Sequence, residues 1–185
     1  MVVTHDGTAP GRPAAGRAPA GRRVSLDDLG AWLLKGNADR ADLAERFARD
    51  PRVTGWCVQP GYRARLMRPG QPVVFWASGS RGRLPYGVWG VGRLAGPAAC
   101  TPGDGRWRVP LELTVAEPAR RVSRTDLRAD PRLADLEVFR QPQAANPSYL
   151  TVAQYAALLD HLPDDPGGQP PDVKAQSPEP TAKTA

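Results

Sequence analysis

Histidine and cysteine are almost missing from this chain of 185 residues, with two of each: His5, His161, Cys57 and Cys100. Their spacing fits no metal-ligand set, so no metal site is expected, and a disulfide-stapled scaffold is excluded. No apolar run approaches the ~20 residues that cross a bilayer, and the N-terminal stretch has no apolar core of signal-peptide type. A reduced, cytoplasmic setting without a membrane partner is therefore the expectation. Catalytic constellations are lacking as well. Cys57 lies in an apolar run with no histidine near it in sequence, where a thiol is ordinarily inert. The paired acids Asp27-Asp28 and Asp164-Asp165 fall in a helix-cap signal and a tail, poor places for acid–base work. No catalytic residue, no cofactor and no enzymatic activity are expected.

The two ends lack apolar bulk. Residues 1–23 are mostly Gly, Pro, Ala and Arg, and residues 163–185 are rich in Pro, Asp, Gly, Gln and Lys. Neither can bury enough surface to offset the entropy of ordering, so both read as disordered tails around one domain at 24–162. Lysine is scarce, three against 22 arginines. The formal net charge is +6; the N-terminal tail accounts for +3 and the C-terminal tail for −2, leaving +5 on the domain. A basic domain suits a polyanion, whose counterions Arg and Lys displace, although a chain this rich in Ala, Gly and Pro carries arginine for compositional reasons too.

What is present is a mixed pattern. Ser25-Leu26-Asp27-Asp28 has the form of a capped turn. Strand character marks 31–35, 53–58 and 73–77, and 86–94 alternates small and large residues around Gly87, Gly90 and Gly92, as in a bent strand approached closely by other backbone. Residues 107–116 alternate cleanly, with Trp107, Val109, Leu111, Leu113 and Val115 on one face. Helical periodicity covers 39–49 until Pro51, a helix is capped at Ser123, a short one is expected at 131–136, and Thr151-Val152-Ala153-Gln154 is a capping box opening a helix to about Leu162. The class is α/β (α+β), a small, strongly bent sheet or barrel with peripheral helices, and a monomer is expected.

Three apolar runs end on small or polar residues beside a tryptophan: Trp32-Leu33-Leu34-Lys35-Gly36-Asn37, Gly55-Trp56-Cys57-Val58 and Val73-Val74-Phe75-Trp76-Ala77-Ser78-Gly79. An aromatic face with polar groups at its margin accommodates a flat polar ring, of which nucleobases are the leading example. The candidate base-binding residues are Lys35, Gly36, Asn37, Trp56, Cys57, Trp76, Ser78 and Gly79. Each has an ordinary structural role to set beside this one: Trp56 and Trp76 as core, Asn37 as a turn residue, Ser78-Gly79 as loop. Trp32, Trp89 and Trp107 read as core. Arg63, Arg65 and Arg81 follow these strands as candidate contacts to a nucleic-acid backbone, and equally suit a solvated surface.

These segments together resemble EVE domains. The resemblance rests on Trp32-Leu33-Leu34-Lys35, Pro69-Gly70-Gln71-Pro72-Val73-Val74-Phe75-Trp76, Gly87-Val88-Trp89-Gly90-Val91-Gly92, then Leu133 to Gln143 and Leu150-Thr151-Val152-Ala153-Gln154. It spans nearly all of 31–162. It implies a PUA-like fold, a curved β-barrel with helices, and a relation to YTH domains, which hold a methylated adenine in an aromatic cage. It further implies a module that reads a modified base in DNA or RNA, with Trp56-Cys57 at a cage wall, Lys35-Gly36-Asn37 at the base edge, and Arg140 and Gln143 where nucleic acid is contacted. Around Leu111 to Leu113, where YTH domains place a second cage tryptophan, this chain has no aromatic, so the resemblance does not carry methyladenine specificity. The alternative implied by PUA-like barrels is a hydrolase or small-ligand domain acting on modified nucleosides.

Overall fold

Ser25 accepts the Asp27 amide and begins a single 3-10 turn, Leu26–Asp28, from which the chain passes directly into β1, Leu29–Asn37. The computed structural model describes residues 23–38, 42–79 and 86–163; almost all of both expected tails, and Arg81, lie outside them. The remaining order is α1 (Leu43–Arg49), β2 (Arg52–Val58), α2 (Tyr62–Leu66), β3 (Pro72–Ser78), β4 (Gly87–Leu94), β5 (Ala99–Cys100), β6 (Trp107–Thr114), a 3-10 turn at Pro118–Arg120, β7 (Val122–Ser123), α3 (Arg124–Ala129), α4 (Glu137–Arg140), β8 (Ser148–Thr151) and α5 (Val152–Leu159).

The fold is mixed α/β, as expected, around an eight-stranded sheet with the order β2-β6-β4-β3-β1-β8, β5 pairing β6 and β7 pairing β4. The central pair β1–β3 is parallel, from Trp32 opposite Val73 to Asn37 opposite Ser78. Both faces of β1 are covered. Trp32 and Leu34 join one core with Phe47, Phe75, Trp89, Val109 and Leu111. Ala31 and Leu33 join a second with Val74, Trp76, Leu127, Leu133, Leu150 and Leu158. A strand buried on both sides reads as a continuous apolar run rather than an alternating one, which is what 31–34 shows. By contrast β6 alternates, with Val109, Leu111 and Leu113 buried and Arg108, Glu112 and Thr114 exposed.

No strand pair among the described residues joins β2 to β8, so strand pairing does not close the sheet into a barrel. The bent-strand reading of 87–94 has a clear steric basis. A Cβ on Gly92 would sit 2.3 Å from the Glu112 carbonyl oxygen of β6, and one on Gly87, whose φ is +148°, 2.1 Å from the Val122 oxygen of β7. Neither crossing tolerates a side chain.

Two local expectations, a helix at 131–136 and Trp107 as core, are corrected, and three short elements appear that were not expected. Residues 131–136 form successive turns, held by the Asp130 carboxylate on the Arg132 amide and by Leu133 and Leu136 amides on carbonyls three residues back. Short helices instead occupy 62–66 and 137–140, and Ser148–Thr151 is a strand. Trp107 is half-buried against the first core rather than inside it.

Candidate functional site

The ends of β1 and β3 lie side by side, Lys35-Gly36-Asn37 against Trp76-Ala77-Ser78. β2 reaches the same place because its register against β6 shifts between Val53 and Gly55. Over this shift β2 advances two residues against three of β6, and the phase of β2 against its partner changes. Val53 and Val58, five positions apart, are thus both buried, and Trp56 turns to the inner side. Its indole Nε1 donates to the Lys35 carbonyl at 3.1 Å. Its ring meets Phe75 edge-on, 4.8 Å between centroids at 88°. Gly36 makes this approach possible: a Cβ there would stand 2.7 Å from the Phe75 ring, 2.9 Å from Leu43 and 3.1 Å from Trp56. Trp56 is therefore a half-buried ring clamped in one orientation at the rim of the first core.

Polar groups around it are arranged by Asn146, which the sequence reading did not single out. Its Oδ1 accepts the Lys35 amide at 2.8 Å, and its Nδ2 donates to the Lys35 carbonyl at 2.9 Å and reaches the Cys57 carbonyl at 3.5 Å. Its own carbonyl accepts the Gln59 amide at 2.8 Å. One carboxamide thus stands where a further strand residue would pair, linking β1 to β2. The Lys35 amine donates to the carbonyls of Pro142, at 3.2 Å, and Ala144. Burial lowers the pKa of Lys35, the nearby Glu137 carboxylate works against that shift, and Arg63 adds to it. Arg63 forms a two-point ion pair with Glu137, both at 2.9 Å, and donates to the Pro147 carbonyl at 3.1 Å. Burial opposes the Arg63 charge, but its hydrogen bonds to Glu137 and Tyr62 raise its pKa overall. Together these bonds strap residues 141–147 across the strand ends, main chain inward, with Gln141, Pro142 and Gln143 exposed.

Of the residues expected at the site, the fold brings together Lys35, Gly36, Asn37, Trp56, Ser78 and Gly79. Asn37 is exposed at the rim, opposite Ser78. Ser78 donates its hydroxyl to the Gly36 carbonyl at 3.1 Å, and its carbonyl accepts the Ala38 amide at 2.8 Å. Gly79 lies under the Tyr86 ring, where a Cβ would stand 2.6 Å from it. Several roles need correcting. The Lys35 main chain cannot also read a base edge, because Asn146 and Trp56 occupy its N–H and C=O. The Gly36 carbonyl is likewise taken by Ser78. Trp76 is 2% exposed, 5.6 Å from Phe139 in the second core, and lines no surface. The Cys57 side chain is exposed, but the pleat sends it to the opposite side of β2 from Trp56, beside Arg108 of β6.

Of the expected backbone contacts, Arg63 is committed to Glu137, and Arg140 donates Nε to the Asp135 carbonyl at 3.1 Å while remaining exposed. Arg65 and Gln143 are exposed. A cation absent from the sequence reading is Arg46 of α1, whose guanidinium carbon lies 5.4 Å from the Trp56 ring and 5.3 Å from that of Phe47. The signal that could have found Asn146 is the polar, irregular composition of 140–147; for Arg46 it is a place on the polar face of the 39–49 helix. No three His, Cys, Asp or Glu side chains among the described residues are grouped as metal ligands, and no described helix is long and apolar enough to cross a membrane.

No family model matches this chain. No curated protein matches it either. Among solved structures it is similar to a hypothetical protein from Leishmania major, at 20% identity and a TM-score of 0.54 over 74% of this chain and 96% of that one. It is also similar to a protein from Pseudomonas putida, at 18% and 0.52 over 71% and 98%, and to one from Pseudomonas syringae, at 18% and 0.51 over 70% and 97%. At such identities the likeness concerns the fold alone. These proteins are covered almost end to end.

Proposed function

We propose that this protein is a non-enzymatic, EVE-like module of the PUA-like class that receives one nucleobase of DNA or RNA, a modified one, against Trp56. The observation that carries the reading is the clamped indole. Trp56 is held by a hydrogen bond to Lys35 and an edge contact to Phe75, at a rim where Asn37 is exposed. A ring already fixed in orientation loses little freedom when a base stacks on it. Stacking of this kind contributes ~1–3 kcal/mol per base. The exposed strap residues Gln141 and Gln143 offer both donors and acceptors to a base edge, and Asn37 lies at the same rim. The Asn146 bridge between β1 and β2 supports the curved, barrel-like reading, since it joins the two sides where the ladder stops. An added methyl on the base is worth only ~1–3 kcal/mol in such a pocket, so modest selectivity follows.

The hydrolase alternative needs an amine or carboxylate free to react. Lys35 donates to two carbonyls and Glu137 is paired with Arg63, which favours the binding reading. The test is fluorescence-anisotropy binding at fixed low salt. Labelled DNA and RNA oligonucleotides carrying cytosine, methylcytosine, hydroxymethylcytosine, adenine or methyladenine are compared for the wild type and Trp56→Ala. Preference for one base, lost in the variant, is expected. Equal binding of all oligonucleotides that the variant retains would overturn the reading.

A further inference from the structure

We infer that Arg46 is the phosphate clamp of the Trp56 site, and that in the free protein its guanidinium covers the Trp56 ring on which a base would rest. This rests on the base-binding reading above and adds a residue and a sequence of events to it.

The argument starts with the charges on and beside α1. Glu45 is bonded to Arg49, and Asp50 to Arg52 through both its oxygens. The remaining acid, Asp42, caps the helix by accepting the Glu45 amide at 3.1 Å. Each of these described carboxylates thus has a partner, and Arg46 forms no ion pair among the described residues. Its guanidinium lies instead over Phe47 and Trp56, at 5.3 and 5.4 Å. Among the described residues, the other cations bonded at the strand ends are occupied: Lys35 by the Pro142 and Ala144 carbonyls, Arg63 by Glu137. Arg46, attracted by Asp50 through space but in direct ion pair with no described carboxylate, therefore brings a positive charge to the aromatic rim.

A guanidinium is flat and binds both aromatic faces and phosphate oxygens, the latter through paired N–H groups. On an exposed surface its hold on an aromatic face is weak. A base stacking on Trp56 displaces it at small cost, and the long side chain then meets the phosphate of the same nucleotide. Cation and base thus alternate at the ring, and the charge stays beside the strand throughout. Nothing covalent is involved.

The experiment measures the salt dependence of binding for one single-stranded oligonucleotide bearing the preferred base, between 50 and 200 mM salt, a window of roughly the width used to count phosphate contacts. Wild type, Arg46→Ala, Arg46→Lys and Trp56→Ala are compared, with thermal unfolding to establish that each is folded. Arg46→Ala is expected to weaken binding about tenfold at the low-salt end and to reduce the slope of log K against log salt by about 0.7, the loss of one phosphate contact on a single strand. Arg46→Lys should restore the slope, because it keeps the charge. Trp56→Ala should abolish base preference and leave most of the slope. An unchanged slope and affinity in Arg46→Ala, with base preference still lost in Trp56→Ala, would overturn the clamp and leave the base reading standing. If Trp56→Ala keeps full base preference, the base reading fails and the clamp fails with it, whatever Arg46→Ala does.

Discussion

At the scale of single residues, Asn146 uses both ends of its carboxamide on Lys35, the oxygen accepting its amide and the nitrogen donating to its carbonyl. Asn146→Ala leaves a strand amide and carbonyl without that partner in a half-buried setting. A loss of about 1–3 kcal/mol in chemical denaturation is expected, together with weaker oligonucleotide binding, since the strap loses its tie to β1. Tyr155 presents the reverse case. It is 2% exposed, and its hydroxyl has no hydrogen-bond partner among the described residues. Tyr155→Phe should therefore be neutral or slightly stabilising at pH 7, because no bond is lost. Burial pushes the Tyr155 hydroxyl from 10.0 up to about 12. Its folded-state pKa is raised, so stability is intact below pH 10 and falls as pH rises toward about 12, where only the unfolded chain has already ionised. A pH series of denaturation midpoints should show this alkaline fall in the wild type and a shallower one in Tyr155→Phe.

At the scale of elements, α4 and the strap depend on one ion pair. Arg63 of α2 and Glu137 of α4 have side chains only 20% and 12% exposed and share two hydrogen bonds. Removing one partner leaves a largely enclosed charge unpaired, which costs about 3 kcal/mol in comparable buried pairs. Glu137→Gln is expected to approach that loss, and the double variant Arg63→Met, Glu137→Leu to recover much of it; a double-mutant cycle by chemical denaturation measures the coupling. The exposed pairs Arg93–Glu112 and Arg49–Glu45 should contribute little when broken. At the other end of the strap, the Thr151 capping box is complete, with Thr151 Oγ1 accepting the Gln154 amide and Gln154 Oε1 accepting the Thr151 amide.

At the scale of the whole molecule, two apolar cores share β1, β3 and β4, which contribute side chains to both. Because these strands cannot be disordered on one face only, the cores should melt together. Phe47→Ala in the first core and Leu158→Ala in the second should each cost about 2–5 kcal/mol and shift one common transition, followed by near- and far-UV circular dichroism. Separate transitions would show the cores to be independent. Asp130 contributes to the acid side of the stability curve; it bonds Arg132 and His161 and so ties the turn after α3 to the end of α5. The hydrogen bonds from Arg132 above all, and from His161, hold its carboxyl well below the usual range. Its contribution is present above pH 3.8 and is lost as pH falls below that value, a limb that Asp130→Asn should lack.

Much of the architecture was legible from local order. Binary pattern and capping chemistry act between residues a few positions apart, so the alternation of 107–116, the unbroken apolar run at 31–34, the caps at Ser25, Ser123 and Thr151, and the close approach at Gly87 and Gly92 were all readable along the chain. The short elements at 62–66, 137–140 and 148–151 escaped because four or five residues span little more than one helical turn or two strand alternations, too few for a period to stand out. The site divides in the same way. That the strand ends at Lys35-Gly36-Asn37, Trp56 and Ser78-Gly79 belong to one place could be read from their composition. Which face Trp56 takes was decided by a register shift in β2, and which of Phe75 and Trp76 reaches it by the pleat of β3. Arg46, Asn146 and Glu137 act on residues 10, 111 and 74 positions away. Hydrogen bonds and ion pairs over such separations leave no local periodicity, so only the tertiary structure could assign Lys35 to the strap, Arg63 to Glu137, and the uncompensated charge beside Trp56 to Arg46.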